Sequence, residues 1–244
     1  MNTKIFALIT KNLQTAFNLP KYANISITED TVVNTLPWTP ARYSKFKDAV
    51  EAELCLPCDY RGTLKEIVAD LSERYTHRFF SEIWRPRTGE YDHSGWALVD
   101  EVNKLNPASV LDVGCGYNPF KGRIHNLIGI DPYNDAADYE VDILDYKVRL
   151  ESHDVIIALG SINFNSKDEI EKRFAHCVTL LKPGGRFFIR ANPGIPHKTG
   201  PWVDIFPWSF EIVNEFAEQY NLKLEAFKRE PTELGRLYFV YQKL

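Results

Sequence analysis

Two periodicities divide the chain. Up to about residue 105, apolar positions recur at helical spacing. From Ser109 onward, short continuous apolar runs alternate with helical stretches. In the first part, Phe46, Ala49, Val50 and Leu54 predict a helix over Tyr43 to Leu54. Thr63 and Glu66 stand three apart, as a capping box requires, and Leu64, Ile67, Val68, Leu71 and Tyr75 follow on one face. This second helix runs to Phe79 or Trp84 and is stopped by Pro86. Trp96, Val99, Val102 and Leu105 predict a short helix ended by Asn106-Pro107. Near the start, Asn24 to Ile27 and Thr31 to Val33 read as short strands, and Pro37, Trp38 and Pro40 as an extended connection.

In the second part the strands are Val110 to Val113, Leu127 to Ile130, Tyr139 to Val141, Asp154 to Leu159 and Arg186 to Arg190. The run Asp154 to Leu159 is apolar almost throughout, as in a central parallel strand buried on both faces. A helix capped by Ser166, with Glu169 at the capping-box position, buries Ile170, Phe174, Cys177, Val178 and Leu181. A second, capped by Ser209, buries Ile212, Val213, Phe216, Ala217 and Tyr220. Leu222 to Lys228 and Leu237 to Tyr241 close the chain as an antiparallel hairpin. The pattern is α/β: seven strands, mostly parallel, with helices on both faces.

The stretch Val110-Leu111-Asp112-Val113-Gly114-Cys115-Gly116 is the centre of this arrangement. A strand that ends in an acid and a tight glycine turn presents its carboxyl end to a nucleotide-like ligand, and glycine lets the backbone bend and the ligand approach. Four further features follow in order: Gly129-Ile130-Asp131, Val141-Asp142-Ile143-Leu144, Ala158-Leu159-Gly160-Ser161, and Leu181-Lys182-Pro183-Gly184-Gly185 before the fifth strand. Together they resemble the class I S-adenosylmethionine-dependent methyltransferase family over about Trp96 to Leu244.

The resemblance implies a Rossmann-like three-layer sandwich with a terminal antiparallel hairpin, and S-adenosylmethionine as cofactor. Residues 93–244 would form the methyltransferase domain, and residues 1–92 a mainly helical cap for substrate recognition. By the same resemblance Gly114, Cys115 and Gly116 meet the methionine part of the cofactor, and Asp112 accepts from its ammonium directly or through water, or orders the turn. Asp131, followed by Pro132, accepts both ribose hydroxyls. Asp142 accepts from the adenine amine, Ile143 and Tyr133 cover the ring, and Leu159 and Gly160 lie near the methyl donor.

A nicotinamide enzyme is the rival, but its fingerprint needs a third glycine where Pro119 stands. Only about ten residues separate Gly116 from Leu127, so the first crossover helix is short, with Asn118 as its cap and Pro119 at its start. The Asn/Asp-Pro-Pro-aromatic motif of exocyclic amine methylation is absent after the fourth strand, where the chain reads Gly160-Ser161-Ile162-Asn163-Phe164. Methyl transfer requires the acceptor to be held in line with the donor, and a base only where a proton must leave. Ser161, Asn163 and His197 are the catalytic candidates, His197 for its near-neutral pKa. Arg190, Asn192 and Lys198 also lie in the loops above the strand ends. Trp202, Phe206 and Trp208 either line an acceptor pocket or pin the long loop from Ala191 to Pro207.

A net charge of -4 over 244 residues argues against a general nucleic-acid binder. One cluster runs the other way: Arg74, Arg78, Arg85 and Arg87 are interleaved with aromatics, either as a contact for RNA or as the solvated face of an amphipathic helix. Cys55 and Cys58 form a C-x-x-C without the second pair a zinc site needs, so no metal is expected. No run approaches the ~20 apolar residues of a membrane span, and the start lacks the features of a secretory signal; a cytoplasmic protein is expected. The expected acceptor is a small molecule or a nucleotide. The alternatives are an RNA or protein methyltransferase, or a non-catalytic module that keeps the fold.

Overall fold

The structure is a computed structural model, and it describes residues 1–18, 26–85, 95–231 and 234–244. Asn24 and Ile25 of one expected strand, together with Pro86 and Arg87, lie outside the described residues. The chain forms two compact units. The first is Met1–Ile83 with Pro196–Asp204, and the second is Trp84–Ile195 with Ile205–Leu244.

The first unit is helical. Helix α1 (Thr3–Ala16) starts at Asn2, whose side chain accepts from the Lys4 and Ile5 amides, and it buries Ile5, Leu8, Ile9 and Leu13. Helix α2 (Pro40–Leu54) is capped by Thr39 and ends at Cys55 in the left-handed region, φ 50°. Helix α3 (Leu64–Arg78) carries the expected capping box and continues into a π turn, Phe79–Ile83. Thr31 to Val33 does not form a strand: Val32 makes a single bridge to Thr63, and Val33–Thr35 is a short 3-10 turn. The core is aromatic, with Trp38 between Phe17 and Phe46, and Tyr60 edge-on to Phe46. Residues from the loop after the fifth expected strand complete this unit. The Trp202 indole donates to the Glu53 carbonyl, Asn2 Nδ2 donates to the Trp202 carbonyl, and Gly200 packs on the Phe79 ring.

The second unit contains α4 (Trp96–Asn103), β1 (Val110–Val113), β2 (Leu127–Ile130), β3 (His153–Leu159), α5 (Lys167–Leu180), β4 (Leu181–Ala191), α6 (Phe210–Gln219), β5 (Leu222–Arg229) and β6 (Leu237–Lys243). The strands form one sheet in the order β2-β1-β3-β4-β6-β5. Three neighbouring pairs are parallel, and β6 runs antiparallel to both β4 and β5. The expected hairpin is present.

The sheet has six strands, not seven, and is only partly parallel. The expected strand Tyr139 to Val141 is reduced to one bridge between Tyr139 and Ile130. The short crossover helix after the glycine turn is also missing. The segment Gly116 to Asn126 is a series of turns, because Asn118, Gly122 and Asn126 all adopt positive φ and Pro119 withholds a donor. Ser166 stands at the start of α5, but its hydroxyl makes no capping bond.

Side chains alternate across the sheet, as the strand period requires. Leu111, Val113, Ile156, Ala158, Phe187 and Ile189 join the core under α5 and α6, whereas Val110, Val155, Ile157 and Phe188 face a smaller cluster with α4, Phe120 and Ile124. Phe120 and Ile124 do from a turn what the missing helix would have done with its buried face.

Candidate functional site

The carboxyl ends of β1, β2 and β3 stand side by side, with Asp112 in register with Gly129 and Ile157. The turn after β1 closes on β2: Gly114 and Cys115 both donate to the Ile130 carbonyl, at 2.8 and 3.0 Å. Asp131 ties the turn down further. One carboxylate oxygen accepts the Gly116 amide at 2.9 Å and the other the Tyr133 amide at 2.8 Å. Each oxygen keeps a lone pair, so the group can still receive two hydroxyl donors. Burial raises the Asp131 pKa, and these two amides oppose the rise.

Asp112 is different. Its side chain is buried, and among the described residues it accepts no hydrogen bond. Burial first, and then the neighbouring Asp131 charge, push its pKa up to about 7. A buried carboxylate without a donor is costly unless a cation meets it.

Asp142, offered by the sequence as an adenine acceptor, is already engaged. Its Oδ1 accepts the Leu144 amide at 2.9 Å, and its Oδ2 pairs with Arg173 of α5 at 3.2 Å. Arg173 was not legible as a partner, since it lies 31 residues away. Ile143 is 3% exposed and belongs to the core beneath α5. Cys115 is buried, with its thiol pKa raised by burial. Pro132 and Leu159 are half-buried.

The loop residues separate clearly. Ser161 donates its hydroxyl to the Val113 carbonyl and so ties the end of β3 to the end of β1. Asn163 Oδ1 accepts the Asn192 amide at 2.9 Å, and the Asn163 carbonyl accepts the Phe206 amide at 2.7 Å. Trp208 is buried and donates its indole N–H to the Ile162 carbonyl, so Phe206 and Trp208 pin the loop. Arg190 is held by Glu230 in a two-pronged ion pair, at 2.8 Å on each prong. His197 and Lys198 belong to the first unit, where the His197 ring packs edge-on against Phe79 and its Nδ1 lies 3.1 Å from the Thr199 hydroxyl.

One neighbour of the glycine turn has no local sequence signal. The Trp84 ring comes within 3.4 Å of where a side chain on Gly116 would begin, and it stacks on Tyr117 at 6.1 Å. Arg85 lies over the same Tyr117 ring. Two more of the expected RNA contacts make bonds within the first unit: Arg74 donates to the Pro57 carbonyl, and Arg78 to the Cys55 carbonyl. Among the described residues there is no group of metal-ligating side chains and no helix long and apolar enough to cross a membrane. Burial pushes the Cys58 thiol up to about 12.

No protein-family model matches the chain, and no curated protein matches it. Solved structures do. The N-methyltransferase NodS from Bradyrhizobium japonicum WM9, in complex with S-adenosyl-L-homocysteine, matches with a TM-score of 0.54 at 14% identity, covering 70% of this chain and 98% of that one. The 1,6-didemethyltoxoflavin-N1-methyltransferase of Burkholderia thailandensis, with bound 1,6-didemethyltoxoflavin and S-adenosylhomocysteine, matches at 0.52 and 17% identity, over 73% and 89%. The magnesium protoporphyrin IX methyltransferase of Synechocystis PCC 6803, with bound SAM, matches at 0.51 and 10%, over 72% and 97%. The chain has the class I S-adenosylmethionine-dependent methyltransferase fold. The expected third strand and first crossover helix are not formed, and Asp112 and Asp131 lie at the ends of β1 and β2.

Proposed function

We propose that the protein is a methyltransferase that uses S-adenosylmethionine and acts on a small-molecule or nucleotide-type acceptor. The observation that carries this reading is the pair Asp112 and Asp131 at adjoining strand ends. One is a buried carboxylate that lacks a donor, and the other is a strapped carboxylate with a free lone pair on each oxygen. An ammonium and a ribose diol, at opposite ends of one ligand, meet those two needs.

When bound, the cofactor supplies an electrophilic methyl group on a cationic sulfur. In this reading Asp112 holds the ammonium, Asp131 orients the ribose, and Gly160 leaves room beside the methyl donor. Asp142 contributes through whichever lone pairs Leu144 and Arg173 leave free. The fold neighbours crystallised with S-adenosylmethionine or its demethylated product support the cofactor, and one of them also holds bound 1,6-didemethyltoxoflavin. The first unit is assigned to acceptor recognition, because Pro196–Asp204, from the loop following β4, is built into it.

Calorimetric titration of the wild-type protein with S-adenosylmethionine, S-adenosylhomocysteine and NAD tests the proposal. Saturable binding of the first two and none of the third is expected. The missing helix after the glycine turn favours one other reading, a binding module that keeps the fold without chemistry. A folded protein that binds neither sulfur ligand establishes that alternative.

A further inference from the structure

The orientation of one buried amide points to the chemistry of the acceptor. Asn163 is 1% exposed. Its Oδ1 receives a backbone N–H from Asn192, and only an oxygen can do that, so the amide is fixed with its NH2 end facing away from Asn192. That Nδ2 is buried and has no hydrogen-bond partner among the described residues. It lies 3.7 Å from the point where a side chain on Gly160 would begin, and outside the adjoining residues no other heavy atom of the described residues lies within 4 Å of that point. Gly160, at φ +101°, thus presents an open face at the end of β3 whose near neighbour is an unused N–H donor.

We propose that Asn163 Nδ2 donates to the methyl acceptor, and that the acceptor atom is an ionised oxygen, a carboxylate or an acidic phenolate. The proposal rests on the methyl-transfer reading above. A neutral amine has one lone pair, and attack on a methyl group uses it, so an N–H donor aimed at that atom opposes the reaction. An oxyanion has lone pairs to spare: one accepts from Asn163 while another attacks. The new O–CH3 bond forms from an oxygen lone pair, the S–CH3 bond breaks, and its electron pair stays on sulfur, which becomes a neutral thioether. No proton moves, so no base is needed. This matches four side chains at the ends of β3 and β4: the Ser161 hydroxyl is engaged with Val113, Arg190 is paired with Glu230, and Asn163 and Asn192 take no proton.

The test observes the side-chain amide itself. Protein labelled with 15N is titrated with sodium acetate, with 4-nitrophenolate, and with sodium chloride and methylammonium chloride as controls, each with and without S-adenosylhomocysteine. The Asn163 NH2 signals are assigned by their loss in Asn163→Asp, which keeps an oxygen for the Asn192 amide and removes the donor. The expected result is a saturable downfield shift of those signals with acetate, with nitrophenolate or with both, and none with either control; which anion shifts them identifies the source of the oxyanion. In Asn163→Asp, anion binding read from neighbouring backbone amides falls by about tenfold or more, while S-adenosylhomocysteine binding is unchanged. No saturable shift with either anion overturns the proposal, and so does an equal shift with methylammonium. If Asn163→Asp fails to fold, the wild-type titration decides alone, with the signal assigned through its proximity to Gly160. Failure of S-adenosylhomocysteine to bind counts against the methyl-transfer reading, and the anion arm without it still reports on Asn163.

Discussion

Gly114 and Ser161 share one space. A side chain on Gly114 would run into the Ser161 Cβ, while the Ser161 hydroxyl donates to the Val113 carbonyl one residue before that glycine. The glycine of the β1 turn is therefore required by the loop after β3, whatever else approaches it. Gly114→Ala adds a clash to a positive φ and should lower stability by on the order of 2–5 kcal/mol in urea denaturation. Ser161→Gly in that background should relieve the clash and leave the conformational cost. A Gly114→Ala protein as stable as wild type contradicts the contact.

Asp112 should make the ligand-free protein less stable as pH rises. Its folded pKa, about 7, lies above the ordinary carboxyl value of about 3.9, so between the two the folded chain holds a proton that the unfolded chain releases. The penalty is absent below about pH 4, grows up to about 7 and is complete above that. Asp112→Asn should gain on wild type across this window, by on the order of 1–4 kcal/mol at pH 8 relative to pH 4. Melting curves of both proteins from pH 4 to 8 check this, and a constant difference refutes it.

Arg78 should matter for stability and not for RNA. Its guanidinium donates to the Cys55 carbonyl at 2.7 Å and pairs with Glu82 at 3.2 Å, closing the carboxyl end of α2. Arg78→Ala should cost about 1–2 kcal/mol in chemical denaturation. Its affinity for a structured RNA at physiological salt should equal that of wild type. Unchanged stability with a loss of salt-sensitive RNA binding would restore the nucleic-acid reading of this cluster.

What was legible in the sequence was what local pattern encodes. The apolar runs of β1, β2 and β3, the Thr63–Glu66 box and the terminal hairpin follow from residue spacing alone. Helix α1 also has its pattern, since Ile5, Leu8, Ile9 and Leu13 share a face after an Asn2 cap. The missing crossover helix followed from residues in plain view. Asn118, Pro119 and Gly122 leave too little uninterrupted chain for a helix to repay its nucleation.

The site was legible in outline and not in partnership. Asp112 and Asp131 lie at strand ends as the spacing implied. That Ser161 would bind Val113, that Asp142 would pair with Arg173, and that Asn163 would receive Asn192 depends on contacts across 29 to 48 residues of sequence. Local propensity carries no information about such contacts. His197 belongs to the first unit, where its ring packs beside Phe79.

The central claim is that Asp131 reads the cofactor's ribose, and calorimetric titration of S-adenosylhomocysteine into wild type and Asp131→Ala tests it most directly. Two hydrogen bonds to a charged group are removed, so affinity should fall by about 2 kcal/mol or more, roughly thirtyfold. Melting temperatures measured alongside separate that loss from unfolding, since Asp131 also holds the Gly116 and Tyr133 amides. Equal affinity in a folded Asp131→Ala protein, or no binding by folded wild type, would contradict the account.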